Sequence, residues 1–161
     1  MPTAVETAKN EAEERLIAAI KLESRKLIES MRLAQPSEAE RLRTRLDEVI
    51  KHCTKLPADF KRDILAEARN LECTSNTRAA DVALQAAMRK AKEDDAAERN
   101  RLVGQARTYA NKAISLGADP AFRATVNRKT EIIMMTGNVE QKGPTAAKPL
   151  DPLPRPPVAK G

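Results

Sequence analysis

The chain has 161 residues, of which 41% are apolar and 32% charged, with a formal net charge of +6. Only 2% are aromatic, and the abundance of Ala, Leu, Glu, Lys and Arg is typical of long helices. The length fits one domain with a short appended segment. The single histidine argues against hydrolysis by a histidine-activated serine or cysteine, because that chemistry needs a proton shuttle near neutral pH.

The first predicted helix ends near residue 34. Thr3 and Glu6 have the spacing of a capping box at its start, and Pro36 ends it because the residue before a proline avoids the α region. One apolar stripe recurs along it at helical spacing: Leu16, Ile17, Ile20, Leu27, Ile28 and Met31. Leu22 and Leu33 lie on the opposite side, either as lone exposed leucines or as a second contact surface.

Three further helices are predicted before residue 92. Ser37 with Glu40 caps the second, Pro57 separates it from a shorter third, and the polar stretch Thr74–Thr77 predicts a turn before the fourth. The inward stripe of the second helix is Leu42, Leu46, Val49, Ile50 and Cys53. That of the third is Phe60, Ile64, Ala68 and Leu71. That of the fourth is Ala80, Leu84, Ala87, Met88 and Ala91. The small residues of the fourth stripe permit close approach between helices.

The stretch Lys92–Glu98 fits either a charged turn or a continuous helix. The next helix has the inward stripe Leu102, Ala106, Tyr109, Ala110, Ala113 and Leu116. Gly117 predicts its end, because glycine enters the left-handed conformation cheaply. Asp119–Pro120 starts the last helix as N-cap and first-turn residue, and Thr136–Asn138 ends it.

These patterns predict an all-α fold. We expect an antiparallel helical bundle of five to six helices over residues 1–139, followed by a Pro-rich tail at residues 140–161. The start of the chain lacks an uninterrupted apolar segment behind basic residues, and its longest apolar run is Leu16–Ile20. Two cysteines are compatible with a reducing compartment. We therefore expect a cytoplasmic protein with no membrane partner.

The residues that could perform chemistry are few. His52 projects from the polar side of the second helix, and Cys53 fits a small core residue. Together with Cys73 they are the only nitrogen and sulfur ligand candidates, whereas structural zinc usually has four ligands. The sequence also lacks a Gly-rich phosphate loop. We expect no catalysis, no metal and no cofactor.

The positive charge is concentrated in residues 99–130. This segment holds seven basic residues against Asp119 alone, a net of +6 that equals the charge of the whole chain. Such a surface raises the local potential for polyanions or acidic proteins. We expect a non-catalytic adaptor or assembly protein that binds another protein through this basic hairpin, at Arg101, Arg107, Lys112, Arg123, Arg128 and Lys129. The simpler alternative is that this face is solvated and binds no ligand. A homo-oligomer is also compatible with the sequence, because the core contains few large apolar residues.

The alternative function is DNA binding. Residues 113–129 resemble part of a helix-turn-helix unit: Ala113, Gly117 and Ala118 fit its small-residue and turn-glycine pattern, and Phe122 and Val126 could face a core. The match departs at Arg123, which stands where a buried aliphatic residue is usual. Nucleic acid therefore remains a possible partner of this segment.

Residues 144–161 are rich in proline. They contain the Pro-x-x-Pro spacings Pro149/Pro152 and Pro154/Pro157, which are typical of polyproline ligands. A flexible linker is the simpler interpretation. The segment could also fold back onto the bundle with Leu150 and Leu153 as anchors.

Overall fold

The computed structural model describes residues 3–142, with side chains described for residues 3–136. This part of the chain forms five α-helices and no strand, which confirms the all-α class: α1 (Ala4–Met31), α2 (Pro36–Lys51), α3 (Ala58–Lys92), α4 (Ala96–Ser115) and α5 (Ala121–Lys142). Within these residues, none of the helices is both long and apolar enough to cross a bilayer. The Pro-rich tail was predicted at residues 140–161, and from residue 143 onward it lies outside the described residues.

The start of α1 confirms its predicted cap, whereas the start of α2 does not. The Glu6 backbone N–H donates to Thr3 Oγ1 (3.1 Å), and the Thr3 N–H donates to Glu6 Oε1 (2.9 Å). In α2 the N-cap is Gln35, without a side-chain cap bond, and Ser37 is already helical. Pro36 at the first helical position explains the shift, because its fixed φ and missing N–H suit that position.

The predicted turn at Thr74–Thr77 is wrong, because α3 runs unbroken for 35 residues. The polar side chains bond to backbone carbonyls and leave the helix intact. Asn76 Nδ2 donates to the Glu72 carbonyl (2.9 Å) and Thr77 Oγ1 to the Cys73 carbonyl (3.0 Å), both four residues back. Such back-bonding satisfies short polar groups inside a helix, so a polar cluster without Gly or Pro does not end one.

Within the stretch Lys92–Glu98, residues 93–95 form a turn between α3 and α4. Asp94 has φ 61°, a left-handed conformation that aspartate tolerates better than most residues. Asp95 then caps α4, since its Oδ1 accepts from the Glu98 backbone N–H at 3.1 Å. The chain therefore has five described helices, with α3 replacing the two that the sequence predicted.

The end of α4 is built as predicted. Gly117 has φ 115°, outside the range that other residues adopt cheaply. Arg69 of α3 donates to the Ser115 and Leu116 carbonyls, each at 3.1 Å. These bonds satisfy carbonyls that a helix end leaves without an intrahelical partner.

The last helix begins as predicted but ends later. Asp119 Oδ1 accepts from the Ala121 N–H at 2.9 Å, which confirms Asp119 as the N-cap. The predicted stop at Thr136–Asn138 is wrong, because α5 continues to Lys142. A glycine inside a helix costs only about 1 kcal/mol relative to alanine, and Thr136 Oγ1 bonds back to the Ile132 carbonyl (2.8 Å).

The chain divides into two compact units that share α3. Unit 1 comprises residues up to Thr77 with Ser115–Ala118, and unit 2 comprises Arg78–Ile114 with the residues from Asp119 onward. The single domain predicted for residues 1–139, with its tail at 140–161, stays a prediction.

Unit 1 packs α1, α2 and the first half of α3. Ion pairs join Arg45 to Glu23 (4.0 Å) and Lys55 to Glu13 (3.6 Å), so α1 and α2 run antiparallel. Its buried cluster is Leu27, Ile28, Met31, Ala39, Leu42, Leu46, Ile50, Cys53, Leu56, Ile64 and Ala68. Leu16, predicted inward, is instead 50% exposed, whereas its neighbour Ile17 packs against this cluster.

Unit 2 packs the second half of α3 with α4 and α5. Its buried cluster is Ala83, Leu84, Ala87, Ala91, Leu102, Val103, Ala106, Ala110, Val126 and Ile133, with Phe122 packed against it. Half of that cluster is alanine, whose short side chain lets helix backbones approach closely. This unit holds most of the basic segment, and therefore the predicted binding residues.

Candidate functional site

The seven basic residues of the segment 99–130 do not form one surface. Arg99 is only 8% exposed, and its guanidinium donates from Nε and Nη2 to Asn100 Oδ1, both at 3.1 Å. Arg99 therefore lies under the surface of α4. Sequence reasoning counted its charge with the others because helical spacing alone does not reveal how deeply a long side chain is buried.

Two of the predicted binding residues are paired with carboxylates. Arg101 holds Glu98 in a two-point pair one turn earlier on α4, with Nε to Oε2 at 2.9 Å. The hydrogen bond from Arg101 lowers the pKa of Glu98, and the same bond raises the pKa of Arg101. Lys129 Nζ lies 3.9 Å from Asp81 Oδ1 of α3. These neighbours cancel much of the positive potential at both positions.

Two further predicted residues lie elsewhere. Lys112 is half-buried on α4, on the same side as Arg101. Arg128 is exposed on the outer side of α5. Since helical residues turn by about 100° each, Arg128 points roughly 140° away from Arg123 on the same helix. The structure does not bring these two residues together with the rest.

The structure does bring Arg107 and Arg123 together. They line one cavity of about 150 Å³ between α4 and α5, which we call the arginine–asparagine cleft. Its lining residues are Arg107, Ala110, Asn111, Arg123, Val126 and Asn127. The polar residues lie four apart on each helix, so they project side by side from successive turns. Buried Ala110 and Val126 form the floor between them.

The polar groups of this cleft are held in different ways. Arg123 donates from Nε and Nη2 to Asn111 Oδ1, at 3.3 and 3.2 Å, which fixes its guanidinium across the two helices. Among the described residues, Arg107 has no hydrogen-bond or ion-pair partner, and it is exposed. The Arg123 guanidinium is therefore held in place before any ligand binds, whereas the Arg107 guanidinium is open to a ligand.

The electrostatics of the cleft favour an anion. The described lining contains two guanidinium groups and no carboxylate. A guanidinium presents a planar fork of donors that matches a carboxylate or phosphate with two parallel hydrogen bonds. The amides of Asn111 and Asn127 add donors beside it. None of these groups is a nucleophile or a proton shuttle near neutral pH, so the cleft is equipped for binding.

The same geometry bears on the helix-turn-helix resemblance. A recognition helix presents its first turns outward to the DNA groove. In α5, Arg123 turns toward Asn111 of the preceding helix instead. The outward side of α5 mixes one cation with an acid and apolar residues: Arg128, Glu131, Ile132 and Met135.

The remaining chemistry-bearing residues stay apart. His52 is exposed at the C-cap of α2, and Cys53 is buried, as the sequence predicted for each. No disulfide joins the two described cysteines, Cys53 and Cys73. Across residues 3–136, no three His, Cys, Asp or Glu side chains converge where a metal ion could bind.

Sequence reasoning missed a buried carboxylate in unit 1. Glu72 of α3 is fully buried, and its Oε1 accepts from Arg43 Nε of α2. Arg43 also donates to Asp47 (3.2 Å), and its bond to Glu72 raises the Arg43 pKa. Charged residues are almost never fully buried unless they are paired. The sequence does not show which glutamate meets a buried partner, so nothing in it distinguishes Glu72 from its exposed neighbours.

No family model, curated protein or solved structure matches the chain. The function must therefore be argued from the geometry above.

Proposed function

We propose that this protein is a non-catalytic adaptor or assembly protein that binds an acidic segment of another protein at the arginine–asparagine cleft. The observation that carries the proposal is the cleft itself: Arg107 and Arg123 from two helices line one opening whose described lining has no acid. Of the six predicted binding residues, these two carry the proposal, and the other four lie outside the cleft.

The size and lining of the cleft favour a carboxylate side chain as its ligand. At about 150 Å³ it is small, and its apolar floor of Ala110 and Val126 suits the methylenes of a glutamate whose carboxylate reaches Arg107 and Arg123. Charged groups at such a site contribute specificity and association rate as well as affinity.

DNA binding through residues 113–129 has weaker support. Duplex binders commonly neutralise about six to ten phosphates, whereas here only two cations share a cleft and Arg101 and Lys129 already face acids. The outward side of α5 also contains Glu131, which would repel phosphate. DNA is therefore retained as the competing ligand in the experiment below.

The test measures binding of a fluorescent oligoglutamate peptide by anisotropy, with a fluorescent DNA duplex in parallel. The double variant Arg107→Glu/Arg123→Glu removes the cleft cations. The matched control, Arg78→Glu/Arg128→Glu, makes the same change of net charge at two exposed arginines of unit 2 outside the cleft. Circular dichroism checks that both variants fold.

We expect the cleft variant to weaken peptide binding by about tenfold or more, equivalent to about 1.4 kcal/mol. The control should change it by roughly twofold, because exposed charges act through a screened field. An equal loss in both variants would contradict the proposal, since binding would then follow net charge alone. Tighter binding of the duplex than of the peptide, with a steep fall in salt, would replace it with DNA binding.

A further inference from the structure

Unit 2 has a second concave feature, on the side where α3 and α5 meet. This groove has a volume of about 360 Å³, and its lining residues are Asp81, Leu84, Gln85, Met88, Lys129, Ile132 and Ile133. Four of them are apolar, and the weak ion pair between Asp81 and Lys129 (3.9 Å) stands at its rim. The groove shares no lining residue with the arginine–asparagine cleft, so it is a separate site.

Apolar surface continues from the groove along α5. Ile132, which lines the groove, is 50% exposed, and Met135, three residues further along α5, is 63% exposed. Met88 is half-buried on the α3 side. A contiguous apolar surface with a polar rim is typical of a site that another segment covers. Methionine adapts to irregular ligands because its side chain is unbranched and flexible.

We propose that this groove is the docking site of the chain's own residues 144–161, with Leu150 and Leu153 as the apolar anchors. The segment is long enough to reach the groove from the end of α5. Ile132 precedes the end of α5 at Lys142 by ten residues, or about 15 Å of helix. Leu150 follows Lys142 by eight residues, which span about 25 Å in an extended polyproline conformation.

The spacing of the leucines and prolines in the segment also suits the groove. Leu150 and Leu153 are three residues apart, so in a polyproline helix with three residues per turn they face the same side, about 9 Å apart. Pro149, Pro152 and Pro154 flank them, and prolines reduce the conformational entropy lost on docking. Both apolar side chains can therefore enter one groove.

The charges of the segment and its covalent connection to α5 favour the same occupant. The segment carries Asp151 and Arg155, which provide one partner of each sign for Lys129 and Asp81 at the rim. A segment joined to α5 by a short connection meets the groove at an effective concentration in the millimolar range. A second copy of the chain lacks that advantage, so the tethered segment is the favoured occupant.

Photo-crosslinking in the full chain tests the position of the segment. A benzophenone amino acid replaces Leu153, and in the control the same group replaces Ala146. We expect a product of monomeric mass in which position 153 is joined to peptides containing Asp81, Met88 or Ile132, with much less from position 146. A product of dimeric mass at those peptides would overturn the proposal in favour of a second copy. Equal or absent labelling from both positions would overturn it outright.

Hydrogen exchange tests the energetic consequence without a bulky group. Leu150→Asp/Leu153→Asp should speed amide exchange at the groove faces of α3 and α5 by at least about threefold, since docking protects them. Ala146→Asp/Ala147→Asp adds the same charge beside the anchors and should leave exchange unchanged. Unchanged exchange in the leucine variant, or equal acceleration in both, would overturn the proposal. Peptide binding at the arginine–asparagine cleft is measured separately, so each proposal can fail alone.

Discussion

Unit 1 and unit 2 bury their helices with different side chains. In the described core cluster of unit 1, two of eleven buried residues are alanine, and large residues such as Met31 and Leu46 fill the interior. In unit 2 five of ten are alanine. Residues of this alanine-rich cluster line both concave features of unit 2, with Ala110 and Val126 in the cleft and Leu84 and Ile133 in the groove. The two units therefore differ in the size of the side chains that fill their cores.

The largest effect is expected where unit 1 is most filled. Leu46→Ala removes a fully buried side chain, so the free energy of unfolding should fall by about 3 kcal/mol through lost burial and the cavity left behind. Leu33→Ala is the control, because Leu33 is 87% exposed and its loss should cost under about 0.5 kcal/mol. Urea unfolding followed by circular dichroism measures both. Equal losses would break the contrast between filled core and exposed surface.

The second prediction concerns close helix approach in unit 2. Ala106→Leu adds volume at a fully buried position of α4, so it should destabilise by about 2 kcal/mol through overpacking. Ala124→Leu makes the same change at an exposed position of α5 and should be nearly neutral. If Ala106→Leu instead raised stability in urea unfolding, unit 2 would contain unfilled space and the comparison between the units would need revision.

A smaller effect is expected from the glycines. Gly117→Ala should destabilise by about 1–2 kcal/mol, because a side chain at φ 115° is strained even though no atom lies within 4 Å of the added Cβ. Gly104→Ala, in the open middle of α4, should stabilise by about 0.5–1 kcal/mol. Thermal unfolding should therefore shift in opposite directions. A shift of the same sign in both variants would contradict the conformational argument.

The smallest effect concerns the ion pair between Arg101 and Glu98 on α4. Arg101→Ala should raise the pKa of Glu98 toward its ordinary value, because the hydrogen bond that lowers it is lost. A lowered folded-state pKa gives stability above the unfolded pKa that is lost as pH falls through the folded value. The pair should therefore matter at neutral pH and lose its effect in acid. A ¹³C NMR titration of Glu98 measures the change, and an unaltered pKa in the variant would show that the pair does not form in solution.

Local signals in the sequence located most helix boundaries correctly. The Thr3–Glu6 capping box, Gly117 and the Asp119 cap depend only on nearby residues, and all three are found in the structure. The same rules failed at Thr74–Thr77 and Thr136–Asn138, where polar side chains bond back to helix carbonyls. A stop signal competes with helix continuation, and short-range rules do not include the packing that decides between them.

The candidate binding cleft was harder to predict from the sequence than the helix boundaries. Charge counting found the segment 99–130, and helical spacing could pair Arg107 with Asn111 on one helix. It could not show that Arg99 is buried, that Lys129 faces Asp81, or that Arg123 crosses to Asn111. Each of those facts depends on a contact between residues distant along the helix or on different helices. The distances between packed helices determine these contacts, and the linear sequence does not record those distances.

Composition and periodicity by themselves determined an all-helical protein with amphipathic helices and one cation-rich stretch, because propensity and apolar spacing act over a few residues. Tertiary structure decided that two of those cations share an opening between α4 and α5, and that an apolar groove lies between α3 and α5. The physical reason is that a cleft belongs to the space between helices. Its shape depends on how the helices pack against each other, which is a property of the folded chain.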